Sequence, residues 1–310
     1  MTQIVKNRKR SLLSRIWGYR AIYMLGLPGI AVMIMFHYVP MTGLLMAFED
    51  YNPQIGLTVS PWVGFKHFAK LFQDAKFYSM LGNTLSISML SLATFPAPII
   101  LALLLNELRS AALKKTIQTA VYLPHFLSWT IVVSLTFFLL SAEQGLVNKI
   151  ILSSGGEAKQ FLFDPSIIYA IIIIQSVWKS IGWGSIVYLA AIAGIDQGLY
   201  EAARIDGANK FQSIMHITLP CILPTVAVML ILKMGSIISV DFEQVLLMNN
   251  ALVKSKLEVF EVYIYNNSIA SGGTQFSYTT AIGMFKSVVS TFLVVTSNAI
   301  VSSRGMRGIL

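Results

Sequence analysis

Long apolar stretches without a charged residue dominate the first half of the chain. Residues 21–48, 77–106 and 116–142 contain no Asp, Glu, Lys or Arg over 28, 30 and 27 positions. A helix needs about 20 mostly apolar residues to cross a bilayer. These stretches therefore predict three transmembrane helices.

Three further apolar stretches in the second half are each interrupted by one lysine. The first contains Lys179, the second Lys233 and the third Lys286. Backbone polar groups must be satisfied within each segment in lipid, and long runs without alternation do not suit barrel strands. The pattern predicts an all-α membrane protein with six spans, at about residues 21–46, 81–105, 118–142, 167–192, 220–240 and 278–302.

The composition supports a membrane protein and excludes several other classes. Hydrophobic residues make up 55% of the 310 positions and charged residues only 12%, whereas a soluble domain carries roughly 25% charged residues. The single cysteine, Cys221, excludes an intrachain disulfide and a cysteine-based metal cluster. The four histidines are scattered, so we expect no metal site.

The net charge of +9 is distributed as the positive-inside rule requires for a multi-pass protein. Residues 1–20 form a basic arm that contains no acidic residue. If this arm is cytoplasmic, six uncleaved spans return the C-terminus to the same side. The inside segments then hold 13 Lys and Arg against 4 Asp and Glu, and the outside loops hold 7 against 10. The membrane topology thus explains the positive net charge, and no nucleic-acid partner is needed to account for it. We expect residues 21–310 to form the membrane domain.

The predicted inside loop at residues 196–220, here called the elbow, has the pattern of two short helices with a break. The run Glu201-Ala202-Ala203 favours a helix, and Gly207 can accept the left-handed conformation that ends one. Asn209 and the glutamine three positions later resemble a capping box at the start of the next helix. On these grounds alone, the elbow could dock a cytosolic protein or lie on the lipid surface.

The sequence EAARIDGANKFQSIMHITLP, residues 201–220, resembles the EAA motif of permease subunits of binding-protein-dependent ABC importers. The family pattern is Glu-Ala-Ala, three residues, Gly, nine residues, Ile, one residue and Leu-Pro. Every position is matched, by Glu201, Ala202, Ala203, Gly207, Ile217, Leu219 and Pro220. The resemblance implies that the elbow is a coupling helix docked in a cleft of an ATPase subunit, with Glu201 and Gly207 most important for docking.

The N-terminal sequence LPGIAVMIMFHYVPMTGLLMAFEDYNP, followed by SPWVGFKHF, resembles the carbohydrate-uptake subfamily that imports oligosaccharides and polysaccharides. The resemblance implies a type I importer permease fold in a bacterial plasma membrane and an alternating-access mechanism. It also implies a second permease, most simply a different chain, two ATP-binding subunits that hold ATP and Mg²⁺, and an extracytoplasmic solute-binding protein. The chain lacks the Gly-Lys-Ser/Thr phosphate loop, so we expect it to be a transport subunit rather than an enzyme.

The three lysines within the predicted spans admit two interpretations. They could snorkel or pair with backbone carbonyls and acids, or they could form a cationic patch for an acidic, uronate-containing oligosaccharide. Trp178 and Trp183 lie near the same depth and could stack on sugars, although aromatic residues in spans more often pack or mark the interface. These five residues are the candidate substrate path.

Two other classes of protein compete with an ATP-driven permease. A secondary transporter driven by an ion gradient favours acidic residues within its spans, and the six predicted spans contain none. An intramembrane enzyme needs a catalytic pair within the spans, and no convincing pair is present. Neither class accounts for the elbow motif.

Overall fold

The computed structural model describes residues 17–270, 275–306 and 308–309. Over these residues the chain is helical, and the only extended pairing is an isolated antiparallel bridge between Glu49 and Trp62. The predictions for residues 1–16 and for Arg307 lie outside the described residues.

The α-helices are numbered here in chain order, and several are continued by short 3₁₀ or π turns. They are α1 (Arg20–Met33), α2 (Lys66–Gln73), α3 (Ala75–Ala93), α4 (Ala97–Asn106), α5 (Ala111–Tyr122), α6 (Trp129–Leu140), α7 (Leu146–Ser153), α8 (Ile168–Ala193), α9 (Gln197–Ile205), α10 (Lys210–Ser213), α11 (Leu219–Gly235), α12 (Phe242–Met248), α13 (Lys254–Leu257), α14 (Phe260–Tyr265) and α15 (Phe276–Ser303).

The described residues contain five helical segments long and apolar enough to cross a membrane, and a sixth that is bent. The bent pair is Ala111–Phe126 with Trp129–Leu140, and it corresponds to the predicted third span. The other five segments are Arg20–Phe48, Ala75–Asn106, Ile168–Ala193, Lys210–Gly235 and Phe276–Ser303.

The third span, predicted at about 118–142, is not a single straight helix. The direction of the helix axis turns by 104° between its two halves. Pro124 has no backbone N–H to donate, and Ser128 starts the second half by accepting a bond from the N–H of Ile131 at 3.4 Å. The physical cause of the break is therefore partly local, although its angle depends on neighbouring helices.

The largest buried cluster includes helices that follow the fifth span. Residues 241–265, here called the crown, form α12, α13 and α14 rather than an open loop. Val245 and Leu257 of the crown are fully buried and share a cluster with Ile168 and Ile172 of the fourth span. The crown therefore covers the end of the bundle opposite the elbow.

The first span packs on the bundle only through its last part. Val39–Phe48 lies against the final helix, Phe276–Ser303. The preceding helix Arg20–Met33 has no buried residue. An apolar helix that is exposed in this way requires lipid or another membrane subunit around it.

Candidate functional site

The first helix of the elbow and the cap of the second form as the sequence predicts, but the second is not a separate short helix: it continues into the fifth span as one segment, Lys210–Gly235. Helix α9 starts at Asp196, whose Oδ1 accepts a bond from the N–H of Gly198 at 2.9 Å. Gly207 then adopts a φ of +80°, a left-handed conformation that side chains with a Cβ rarely take. The next helix begins at Asn209 with a complete capping box, in which Asn209 and Gln212 bond each other's backbone N–H at 2.9 and 2.7 Å.

The elbow exposes apolar side chains beside a shallow groove. Ile205 is 87% exposed and Phe211 is 70% exposed, on either side of the turn at Gly207. The groove has a volume of about 280 Å³ and is lined by Ala203, Asp206, Gly207, Ala208, Gln212, Ser213, His216 and Ile217. Exposed apolar residues around a concave surface are typical of a protein-binding site.

The structure divides the EAA-like residues between this surface and the membrane domain. Glu201, Ala202 and Gly207 are exposed, and Ala203 is half-buried on the groove. The remaining residues of the motif continue into the fifth span, where Ile217 and Leu219 are half-buried and Pro220 is exposed.

Two side-chain contacts tie the elbow to the rest of the chain. The Tyr200 hydroxyl lies 2.9 Å from the Thr218 hydroxyl, which joins α9 to the start of the fifth span. Lys210 Nζ forms an ion pair with Glu107 Oε2 at 2.6 Å, which joins the elbow to the end of the second span. These two contacts connect the elbow to the second and fifth spans.

A partly open cavity lies in the bundle between the second, third, fourth and fifth spans, and its lining combines apolar side chains with serine hydroxyls and the ammonium groups of two lysines. Its upper part, below the crown, has a volume of about 280 Å³, and an adjoining part has about 330 Å³. The two parts share the residues Ser91, Ser176, Ser180, Lys233 and Ser236. Hydroxyl groups can both donate and accept hydrogen bonds, so such a lining suits a ligand rich in hydroxyl groups.

Lys233 contributes a positive charge to this cavity. It lines both parts, and its Nζ donates a hydrogen bond to Ser91 Oγ at 2.8 Å. The carboxylate of Asp241 lines the upper part of the same cavity, so the cavity wall carries both signs of charge.

Lys179 also lines the cavity, but its ammonium group contacts the backbone of the broken third span. It donates to the carbonyl oxygen of His125 at 2.9 Å and to that of Leu127. It also lies 5.4 Å from the ring centre of Trp129.

The other candidates of the substrate path are divided. Trp183 lines the lower cavity and stacks on His125, with ring centres 4.4 Å apart. Trp178 is 44% exposed and does not line either part of the cavity. Lys286 also lies outside it, because its ammonium group is paired with Glu261 of the crown in a mostly buried contact. The structure thus brings together Lys179, Lys233 and Trp183.

A buried hydrogen-bond network holds the crown over the cavity, and sequence reasoning did not identify it. Gln244 of α12 donates to Gln175 Oε1 at 2.8 Å and accepts from Ser176 Oγ at 3.0 Å. Gln175 in turn donates to Thr136 Oγ1 of the third span at 2.7 Å. The cavity serines were also missed, although Ser176 and Ser180 are four residues apart on one helical face.

At the crown end, a short polar cluster fixes the segment that follows the first span. Lys66 Nζ lies 2.6 Å from Asp50 Oδ2, and His67 Nε2 lies 3.0 Å from Asp50 Oδ1. The hydrogen bond from Lys66 holds the pKa of the Asp50 carboxyl below its ordinary value. Asp50 therefore stays ionised and keeps this surface segment in place.

The chain is similar to known transport proteins over nearly its whole length. Residues 94–304 match the family described as binding-protein-dependent transport system inner membrane component. The chain is 47% identical to protein LplB of Bacillus subtilis (strain 168), over 93% of this chain and 90% of LplB. It is 44% identical to the polygalacturonan/rhamnogalacturonan transport system permease protein YteP of the same organism, over 98% and 94%.

Two solved structures share the fold. One is a bacterial ABC transporter involved in the import of the acidic polysaccharide alginate, with a TM-score of 0.86 and 40% identity over 93% of this chain and 97% of that chain. The other is a bacterial alginate ABC transporter in complex with an alginate pentasaccharide-bound periplasmic protein, with a TM-score of 0.89 and 38% identity over 97% and 100%. The predicted all-helical permease fold is thereby confirmed.

Proposed function

Because the chain belongs to the family of binding-protein-dependent transport system inner membrane components, we propose that it is the membrane-spanning subunit of an ATP-driven oligosaccharide importer. The observation that carries the proposal is the elbow, an exposed, capped helix pair whose sequence has the spacing of the EAA motif. Near full-length similarity to sugar permeases supports the class of substrate.

The orientation that we propose places the elbow and both termini in the cytoplasm of a bacterial cell. The excess of Lys and Arg in the segments on that side supports it. The crown then faces outward, and an extracytoplasmic solute-binding protein delivers the oligosaccharide to it. One solved relative is a complex with its periplasmic protein, which supports this arrangement.

In this proposal, partner subunits supply the energy for transport. Two ATP-binding subunits hold ATP and Mg²⁺, and one of them receives Ile205 and Phe211 of the elbow. A second permease, a different chain, completes the pathway. Closure of the ATPase pair moves the elbow, and the contacts of Tyr200 and Lys210 transmit that movement to the second and fifth spans. The cavity then opens alternately to the two sides of the membrane.

Charge reversal at the elbow tests the coupling. Glu201→Lys should abolish ATP-driven uptake in proteoliposomes, because it places a cation at the exposed start of the docking surface. Membrane insertion should be unchanged. Lys115→Glu is a matched control, since Lys115 is exposed on α5 outside the elbow. Unchanged uptake and unchanged co-purification of the ATPase subunits in Glu201→Lys would contradict the docking role.

We further propose that the substrate is an acidic oligosaccharide whose carboxylate contacts Lys233. The charged, serine-lined cavity supports this, and so do the acidic polysaccharides named for relatives of the chain. Lys233→Gln should lower the uptake of a uronate oligosaccharide more than that of a neutral one of equal length. Lys254→Gln, an exposed lysine of the crown, is the control. Equal losses for both sugars would exclude the acidic substrate.

A further inference from the structure

The break in the third span leaves polar backbone groups near the middle of the bundle. In an uninterrupted helix, the carbonyl oxygens of residues 125 and 127 accept bonds from the N–H groups four residues later. The N–H of Ile131 is bonded by Ser128 Oγ instead. A non-helical backbone at this depth is tolerated only where protein groups or a water-filled cavity satisfy it.

Lys179 supplies these bonds from the neighbouring helix. It is the twelfth of the 26 residues of Ile168–Ala193, so it lies near the middle of that span. Its Nζ donates to both His125 O and Leu127 O. A cation is also favourable at the carbonyl end of a helix, and the face of Trp129 adds a cation–π contact at 5.4 Å.

The next turn of the same helix also contacts the break. A Cβ on Gly182 would lie 2.0 Å from the carbonyl oxygen of Val121, so the two backbones touch there. Trp183 stacks on His125. Positions 179, 182 and 183 share one helical face, and this face is therefore shaped to receive a bent third span.

From this geometry we infer that Lys179 is a positioning residue: it clamps the break in the third span and thereby holds His125 and Trp129 in the cavity wall. The inference rests on the proposed function for its transport readout, but the shape of the third span can be measured independently. It assigns the two cavity lysines different roles, since Lys233 faces a serine hydroxyl and Lys179 faces two carbonyl groups.

The shape is measured with two spin labels in the assembled importer, in a Cys221→Ser background. The labels are attached at Lys115→Cys and Phe138→Cys, which are both exposed and lie on either side of the break. With the 104° bend their backbone positions are about 20 Å apart, and a straight helix would place them about 35 Å apart. The wild-type chain should therefore give the short separation.

Lys179→Met keeps an unbranched side chain one bond shorter than lysine and removes its donors, and Lys179→Arg restores donors. We expect Lys179→Met to broaden or lengthen the label separation and to lower uptake of acidic and neutral oligosaccharides equally, by about tenfold or more. Lys179→Arg should restore the short separation and most of the uptake. If Lys179→Met does not assemble, Lys179→Gln serves instead, because its amide nitrogen is one bond closer to Cα than Nζ is and carries no charge.

Two outcomes would overturn the assignment. One is an unchanged label separation in both Lys179→Met and Lys179→Gln. The other is a loss of acidic uptake alone, which would make Lys179 a substrate contact. If the wild-type complex transports no oligosaccharide, the proposed function fails, whereas the label separation still decides the role of Lys179.

Discussion

The contact between Gly182 and the third span predicts a large effect from one added methyl group. In Gly182→Ala, the Cβ would lie 2.0 Å from the carbonyl oxygen of Val121 and 2.5 Å from its carbonyl carbon. Both neighbours are backbone atoms, so a rotamer change cannot relieve the overlap. The fourth span must move away by about 1.4 Å to reach ordinary contact, and overpacking of this kind costs about 1–3 kcal/mol.

The higher helix propensity of alanine offsets part of this destabilisation. Alanine is a better helix former than glycine by up to about 1 kcal/mol. We therefore expect a net loss of about 1–2 kcal/mol in the free energy of unfolding, which corresponds to a midpoint lowered by several degrees. The assay is the fraction of detergent-solubilised complex that remains monodisperse by size-exclusion chromatography after heating.

Two other glycines serve as graded controls. A Cβ on Gly184 would lie 3.2 Å from the side chain of Pro98, so Gly184→Ala should cost less than Gly182→Ala. A Cβ on Gly283 meets nothing within 4 Å, so Gly283→Ala should be neutral or slightly stabilising. A Gly182→Ala midpoint equal to or above that of Gly283→Ala would refute the close approach of the third and fourth spans.

Three further predictions concern ionic contacts. Lys286→Met alone should destabilise the complex by about 3–5 kcal/mol in the same heating assay, because it leaves Glu261 charged and mostly buried. The double variant Lys286→Met with Glu261→Leu should recover much of this lost stability, because it removes the buried charge as well. Asp50→Asn should cost less than about 1 kcal/mol at neutral pH, because Asp50 is 41% exposed. Because the pKa of Asp50 is lowered in the folded state, ionised Asp50 contributes its full stabilisation above pH 3.8, its ordinary pKa. As the pH falls through the folded-state pKa, the difference in stability between Asp50→Asn and wild type should vanish. Glu107→Lys and Lys210→Glu should each reduce uptake by up to about fivefold and restore it when combined; an additive loss in the double variant would exclude their coupling.

The elbow and the spans were predictable because their signals are local. A mostly apolar run of sufficient length forms a helix in lipid, so all six apolar runs reappear among the described residues, five as single segments and one as a bent pair. Likewise, Gly207 and the Asn209–Gln212 capping box act within a few residues of the chain. The sequence was therefore sufficient for the helices of the elbow and for its exposed motif.

The crown was not predictable in the same way. Its helices are short, and Val245 and Leu257 are buried only because the ends of other spans cover them. A segment of mixed charges and aromatic residues has the composition of a loop when read alone. Gln244 likewise gains its role from Gln175, which lies 69 positions away in the chain.

The sequence by itself determined that three lysines lie within spans. Only the tertiary structure decided their surroundings: Lys233 faces the serine-lined cavity, Lys179 binds the broken third span and Lys286 pairs with Glu261. The physical reason is that depth along a helix follows from counting residues. The group that a side chain meets depends on how that helix is rotated and packed against segments distant in the chain.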